Sequence, residues 1–145
     1  MYISTFGATK GYYQIPVKED DIWFAAFMSE FGEFETMRTI FGMRSSGATF
    51  IRATQRILQP VRKITASYVD DISVYSDVWK QKLQDLEKFL TEIRRSWLTV
   101  NFAKSNFAIA QVKCIGHIIG SWYREPDPDK LTAVKNLIWD KYIKL

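Results

Sequence analysis

The sequence predicts an α+β fold of the split βαβ, ferredoxin-like kind, an antiparallel sheet with two main helices packed on one face. Three observations carry this expectation. Residues 48–58 and 79–97 repeat apolar side chains at helical spacing. Short runs rich in aromatic and β-branched residues come before, between and after them. Finally, Ala66-Ser67-Tyr68-Val69-Asp70-Asp71-Ile72-Ser73-Val74-Tyr75-Ser76 sets two such runs around a pair of adjacent aspartates, the pattern of a hairpin with an acidic tip.

In chain order, residues 1–17 mix β-formers with Gly7 and Gly11 and reach Pro16, which predicts a strand, a tight or short helical turn over 8–14, and an extended exit. A charged turn, Lys18-Glu19-Asp20-Asp21, precedes an apolar run at 22–27 expected as a strand. Phe31-Gly32-Glu33-Phe34 then turns into a second strand over 35–39. Ser45 or Ser46 is placed to cap the first helix, whose stripe of Phe50, Ala53, Thr54, Ile57 and Leu58 faces the core while Arg52, Gln55 and Arg56 lie opposite, and Pro60 stops it. That basic face suits phosphates or plain solvent.

Ser76-Asp77 is expected to cap the long helix, with Trp79, Leu83, Leu86, Leu90, Ile93 and Trp97 inward and Lys82 and Asp85 among the outward charges. Three further β-runs are expected at 98–102, 107–110 and 112–119, with a corner at Ala110-Gln111. Gly116 inside the last marks a bulge or the close approach of another backbone. His117, alone among apolar residues, reads as a packed strand histidine rather than a metal ligand. Pro126-Asp127-Pro128-Asp129 is a stiff turn before a last helix from 130 to about 139.

The hairpin tip is the one feature that points to chemistry. Adjacent carboxylates repel, and a fold needing only a turn more often uses Asn-Gly or Asp-Gly. Paired carboxylates on a rigid hairpin suit magnesium-type ions, which take hard oxygens and keep places for a phosphate-bearing substrate; a solvated acidic turn is the bland alternative.

Composition narrows the rest. At 145 residues, 47% hydrophobic and 25% charged, the chain is long enough for one domain with a sizeable core and does not have the composition of a disordered one. A net charge of +4 permits a polyanionic partner without requiring one. The single cysteine, Cys114, excludes an internal disulfide and fits a reducing, intracellular setting, cytoplasmic or nuclear. No apolar run approaches the length of a membrane span and no signal peptide opens the chain, so no membrane partner is expected. Aromatic residues at 15% are numerous enough for some to belong to a contact surface.

Several blocks in fixed order then identify a resemblance. Tyr68-Val69-Asp70-Asp71 is similar to the YxDD signature of reverse transcriptases, and Lys10-Gly11-Tyr12-Tyr13-Gln14-Ile15-Pro16-Val17 resembles the first palm motif of their gypsy-like LTR-retrotransposon branch. Ala26-Phe27, Phe41-Gly42-Met43 and Ala48-Thr49-Phe50 resemble that branch's TAF, PFGL and APATF blocks. Leu98-Thr99-Val100-Asn101 with Lys104 resembles its L-x-LN-x-x-K block, and Ile115-Gly116-His117-Ile118 the strand that grips the primer end. The likeness runs from about residue 2 to 135.

The resemblance implies a ferredoxin-like palm that binds RNA or DNA and nucleotide and joins nucleotides with two magnesium ions held by Asp70, Asp71 and a third aspartate. That third position is Gly7, and residues 1–18 hold no acid at all. Losing a bridging ligand forfeits several kcal/mol of transition-state stabilisation; about 4 kcal/mol corresponds to roughly a thousandfold in rate. Ile40, Gly47 and Ile51 also stand where the branch carries proline or a polar residue. By the same resemblance, Tyr12, Phe41, Gly42 and Lys104 line the nucleotide, and Ile115, Gly116 and His117 contact the primer; Arg52 and Arg56 remain candidates for phosphate contact. The chain is expected to be one palm domain over 1–145, with most of the fingers and all of the thumb, connection and RNase H missing. It is read as an inactive polymerase kept as a binding or self-associating module, or else as a weak RNA-directed DNA polymerase. Apolar surface left open in such a palm predicts a symmetric dimer with contacts among Trp23, Phe24, Trp122 or Tyr123.

Overall fold

The structure, a computed structural model, describes residues 1–114, 116–120 and 123–129. Its centre is a four-stranded antiparallel sheet in the order β4-β5-β1-β6, formed by β1 (Tyr2–Gly7), β4 (Thr65–Tyr68), β5 (Asp71–Ser76) and β6 (Asn106–Ile109). Strand alternation divides its side chains cleanly. Phe6, Ile72 and Val74 face the helices, α1 (Ser46–Leu58) and α2 (Trp79–Ser96), and join Leu58, Phe89, Ile93, Leu98 and Val100 in one core. Gly7, Asp71, Ile3 and Ser73 belong to the opposite face. Sheet and two helices on one side are as the sequence predicts.

On that opposite face sits a second sheet, β7-β8-β9, built from β7 (Gln111–Cys114), β8 (His117–Gly120) and β9 (Arg124–Pro126). Ile3, Tyr75, Val112, Cys114 and Ile119 line an apolar groove of about 400 Å³ between the two sheets. Lys113 ties the second sheet together by pairing with Asp127 at 3.1 Å and Asp129 at 2.6 Å. A detached ribbon, β2 (Ala26–Ser29) with β3 (Gly32–Glu35), is the third sheet.

Several local expectations need correction. Residues 19–25 form a 3₁₀ turn, Glu19–Ala25, rather than a strand; three acids in its first turn suit a helical N-terminus, and Ala25 alone is fully buried. The ribbon turns at Glu30-Phe31, so β3 ends where the second strand was expected to begin; residues 37–39 instead pair with 15–17 through Val17 N to Met37 O and Thr39 N to Ile15 O. Ser45 and Ser46 donate no cap to α1, since Ser46 Oγ donates to Ile40 O at 2.7 Å.

The long helix is rotated from its expected setting. Its buried face is Lys82, Asp85, Phe89 and Ile93, while Leu83 is exposed and Trp97, in left-handed backbone at the helix end, stands 91% exposed. Polar groups at the end of β5 explain the rotation. Lys82 Nζ donates to Val74 O at 2.7 Å, and Asp85 accepts from Ser76 Oγ at 2.7 Å and Gln81 Nε2 at 2.8 Å. Ser76 therefore serves Asp85 and caps nothing.

Among the described residues, 98–102 make one bridge, Val100 to Ala8, and no strand; Thr99 N donates to the Gln14 side chain in place of a strand partner, while Thr99 O accepts from both Gln14 Nε2 and Thr9 N. Gly116 stands at the turn between β7 and β8, with φ +70°, instead of inside a strand, and its carbonyl accepts from Asp127 N at 2.9 Å, the close backbone approach expected for it. Ala110-Gln111 passes the chain from one sheet to the other, and Pro126 is in an edge strand. Ile115, Trp122 and the helix expected from 130 lie outside the described residues.

Candidate active site

Val69 and Asp70 turn the chain at the tip of the β4–β5 hairpin, so Asp70 alone belongs to the tip and Asp71 opens β5, one residue off the two-aspartate tip that the sequence predicts. Val69 takes φ +52°, a costly conformation for a β-branched residue, tolerable where surrounding contacts hold it. One such contact is Ala8 N donating to Asp70 O at 2.8 Å. The tip is thereby bonded to the end of β1, whose register sets Gly7 directly opposite Asp71.

These residues open into a cleft of about 470 Å³ lined by Gly7, Lys10, Asp70, Asp71, Asn101 and Lys104, among others. Burial, with the neighbouring Asp70 charge adding to it, pushes the Asp71 carboxyl above its ordinary value. Lys10 and Lys104 supply the opposing charge in the cleft, and Lys10 holds left-handed backbone with φ 49°. The third wall is fixed by backbone: Asn101 N donates to Gly7 O at 2.9 Å, Thr9 N to Thr99 O at 2.9 Å, and Asn101 Oδ1 accepts from Lys104 N. Gln14 completes this clamp, its Nε2 donating to Thr9 O and Thr99 O while its Oε1 accepts from Thr99 N.

Magnesium of the kind used in phosphoryl chemistry takes about six oxygens in near-octahedral array. Among the described residues no three His, Cys, Asp or Glu side chains converge. Asp70 and Asp71 are the carboxylates in the cleft that could hold a magnesium-type ion. They do not fit a bridged pair of ions, because the position facing Asp71 has no side chain. The vacancy is not enforced by crowding, since a Cβ built on Gly7 meets nothing nearer than Asp71 Oδ1 at 3.7 Å.

The expected site residues within the described structure divide into four groups. Asp70, Asp71, Gly7 and Lys104 share the cleft. Tyr12 and Phe41 are brought together edge to face at 4.9 Å over Phe50 of α1, with Gly42 beside them at φ +92°. Gly116 and His117 belong to the β7–β8 turn on the Asp71 side of the central sheet; His117 lies 3.4 Å from Arg124. Arg52 and Arg56, by contrast, are exposed on α1, across the sheet from the Asp71 face, and line no part of the cleft. Lys10, Asn101 and Gln14 were not singled out as site residues; only their places inside the quoted motifs pointed to them.

Residues 1–119 match the family described as reverse transcriptase (RNA-dependent DNA polymerase). The chain is 33% identical over 137 residues to the retrovirus-related Pol polyprotein from transposon opus of Drosophila melanogaster, covering 94% of this chain and 14% of that one. With the corresponding polyprotein from transposon 297 of the same fly it shares 31% identity over 134 residues, 92% of this chain and 13% of the relative. Thus the chain spans about one-seventh of these relatives. In fold it resembles a foamy viral protease-reverse transcriptase in complex with RNA/DNA hybrid, with a TM-score of 0.84 at 24% identity, over 94% of this chain and 18% of that one.

Proposed function

This chain belongs to the reverse transcriptase (RNA-dependent DNA polymerase) family, and on that premise we propose that it is a retrotransposon-derived palm that has lost polymerase chemistry and keeps a capacity to bind nucleic acid and itself. What supports the reading is position 7. The ancestral reaction needs one ion to activate the primer hydroxyl and a second to stabilise the leaving pyrophosphate. Gly7 offers neither ion a ligand, although it sits in register with Asp71 and has room for one.

Around that position the remaining parts take binding roles. Lys104 and Lys10 meet phosphate, Tyr12 and Phe41 flank a sugar and base, and the Gly116-His117 turn meets the primer end on the Asp71 side. Asp70 and Asp71 hold at most one magnesium ion alongside a substrate phosphate. Exposed Trp23 and Phe24, stacked at 3.6 Å, belong to the self-associating surface, together with Tyr123.

The alternative, a weak polymerase working with Asp70 and Asp71 alone, is favoured by one observation, that both carboxylates still line one cleft with Lys104. Fluorescence anisotropy with a labelled RNA/DNA hybrid, run beside single-nucleotide incorporation in magnesium and manganese, separates the readings. Binding that weakens steeply with salt and survives Asp71→Asn, without incorporation, is the expected result. Incorporation by the unaltered chain would establish the alternative, and absence of binding at low salt would sink the binding role.

A further inference from the structure

Charge in this chain is segregated by element. Residues 19–35 carry Glu19, Asp20, Asp21, Glu30, Glu33 and Glu35 and no cation, whereas residues 36–69 carry Arg38, Arg44, Arg52, Arg56, Arg62 and Lys63 and no acid. The first set ends in the β2–β3 ribbon. Of the second, Arg56 and Arg62 line a groove beside the free edge of β4.

The ribbon is poorly accommodated by its own chain. Every side chain of Ala26, Phe27, Met28, Glu33, Phe34 and Glu35 is exposed, and among the described residues neither outer edge of the ribbon pairs with another strand. Phe27 and Phe34 stack at 5.8 Å on one face; Met28 and Glu33 are partners on the other. A two-stranded hairpin alone in water is marginal, so this one gains from a third strand or a covering surface.

A matching receptor is on the same molecule but turned away from the cleft. β4 is an edge strand of the central sheet, four residues long like β2 and β3, with Ala66, Ser67 and Tyr68 exposed. Beside it runs a groove of about 410 Å³ lined by Arg56, Leu58, Arg62, Thr65 and Ser67, with Gln55 and Gln59. Arg56 and Arg62 make no ion pair among the described residues, nor do Glu30, Glu33 and Glu35. Thr65 and Ser67 point to the helix side of the sheet, whereas Asp71 points to the other, so an occupant of this groove does not enter the aspartate cleft.

We propose that the acidic, aromatic β2–β3 ribbon of one copy docks along the β4 edge of a second copy, adding to the central sheet and seating Glu33 and Glu35 against Arg56 and Arg62. The proposal rests on the self-association reading above and assigns its surfaces. A contact between two different patches becomes a closed dimer where the exchange is reciprocal and an extending chain where it is not. Nucleic acid is the rival occupant of the basic groove, and it makes no use of the ribbon.

Two charge-reversed proteins test this by sedimentation at tens of micromolar and low salt. Glu33→Arg with Glu35→Arg leaves both patches basic, and Arg56→Glu with Arg62→Glu leaves both acidic. Each alone is expected to associate at least tenfold more weakly than the unaltered chain, and a one-to-one mixture is expected to recover association. All four positions are exposed, and recovery on mixing also certifies that both variants fold. Unaltered chain that sediments as a monomer overturns the self-association reading and this one together. Association in both variants equal to the unaltered chain overturns only the assigned surfaces. Loss of RNA binding by the Arg56→Glu, Arg62→Glu protein, with undiminished self-association of the Glu33→Arg, Glu35→Arg protein, would hand the groove to nucleic acid.

Discussion

Lys82 offers a prediction whose size follows from where it sits. Its side chain is fully buried beneath β5, with Nζ donating to Val74 O at 2.7 Å and Asp85 as the nearby compensating charge. Burial lowers it from an ordinary 10.5 to about 8, and Asp85 offsets only part of that. The unfolded chain therefore binds a proton that the folded chain has released between pH 8 and 10.5, and stability rises with pH across that window. At about 1.36 kcal/mol per pH unit, the gain amounts to about 3 kcal/mol. Below pH 8 both states are protonated and the burial penalty is constant.

Lys82→Met abolishes the penalty but removes the Lys82 donor from the Val74 carbonyl and a nearby positive charge from buried Asp85, a cost of about 1–3 kcal/mol. At pH 7 the two proteins should therefore lie within about 2 kcal/mol of each other, with their difference growing in favour of the unaltered chain as pH rises. Urea denaturation of both from pH 7 to 10.5 measures this. Lys113, raised by the hydrogen bonds it donates to Asp129 and Asp127, and Cys114, raised by burial, titrate alike in both and cancel. A difference that stays flat across the window would refute a buried, depressed lysine.

Three further expectations concern the same packing and the cleft. Asp85→Ala removes the acceptor of Ser76 and Gln81 and the charge that partly offsets the burial of Lys82, so it should cost about 1–3 kcal/mol at pH 7, and Lys82→Met in the same chain should return part of that. Gly11→Ala sets a Cβ 2.9 Å from Phe50 Cζ and should cost about 1–3 kcal/mol, while Gly7→Ala, with open space, should stay within about 0.5 kcal/mol. Val69→Gly relieves the φ +52° turn residue and should raise stability by about 1 kcal/mol; an equal loss would mean the turn is not strained.

The parts of the fold legible in the sequence are those where local pattern and tertiary environment agree. Phe50, Thr54 and Leu58 are buried as their spacing predicts, and the Asp70-Asp71 hairpin forms because β-runs flank a tip that can turn. The long helix is legible in its span and in Leu86, Leu90 and Ile93, which pack on the core, but not in its full setting, because periodicity counts apolar residues and here the polar end of β5 draws in Lys82 and Asp85, two residues that hydropathy sends outward. Likewise no local signal reveals that Gln14 substitutes for a strand partner at Thr99, since its two partners lie 85 residues apart from it or on its own turn. Asp70 and Asp71 stand out as paired carboxylates between two β-runs, and Gly7 and Lys104 follow only from the resemblance to reverse-transcriptase motifs; the structure brings the four to one cleft. Arg52 and Arg56 lie outside the cleft, and charge on an exposed helix face carries no information about which side of the sheet that helix covers.

Single-nucleotide incorporation on a primed RNA template, in magnesium and then manganese, compares the unaltered chain with Gly7→Asp. The variant carries its carboxylate on a Cβ 3.7 Å from Asp71 Oδ1, inside the cleft and opposite the aspartate that lacks a partner. Incorporation by Gly7→Asp roughly a thousandfold faster than by the unaltered chain is the expected result, and it would make the glycine the lesion in an otherwise intact palm. Equal rates in the two proteins, at any level including none, would contradict it.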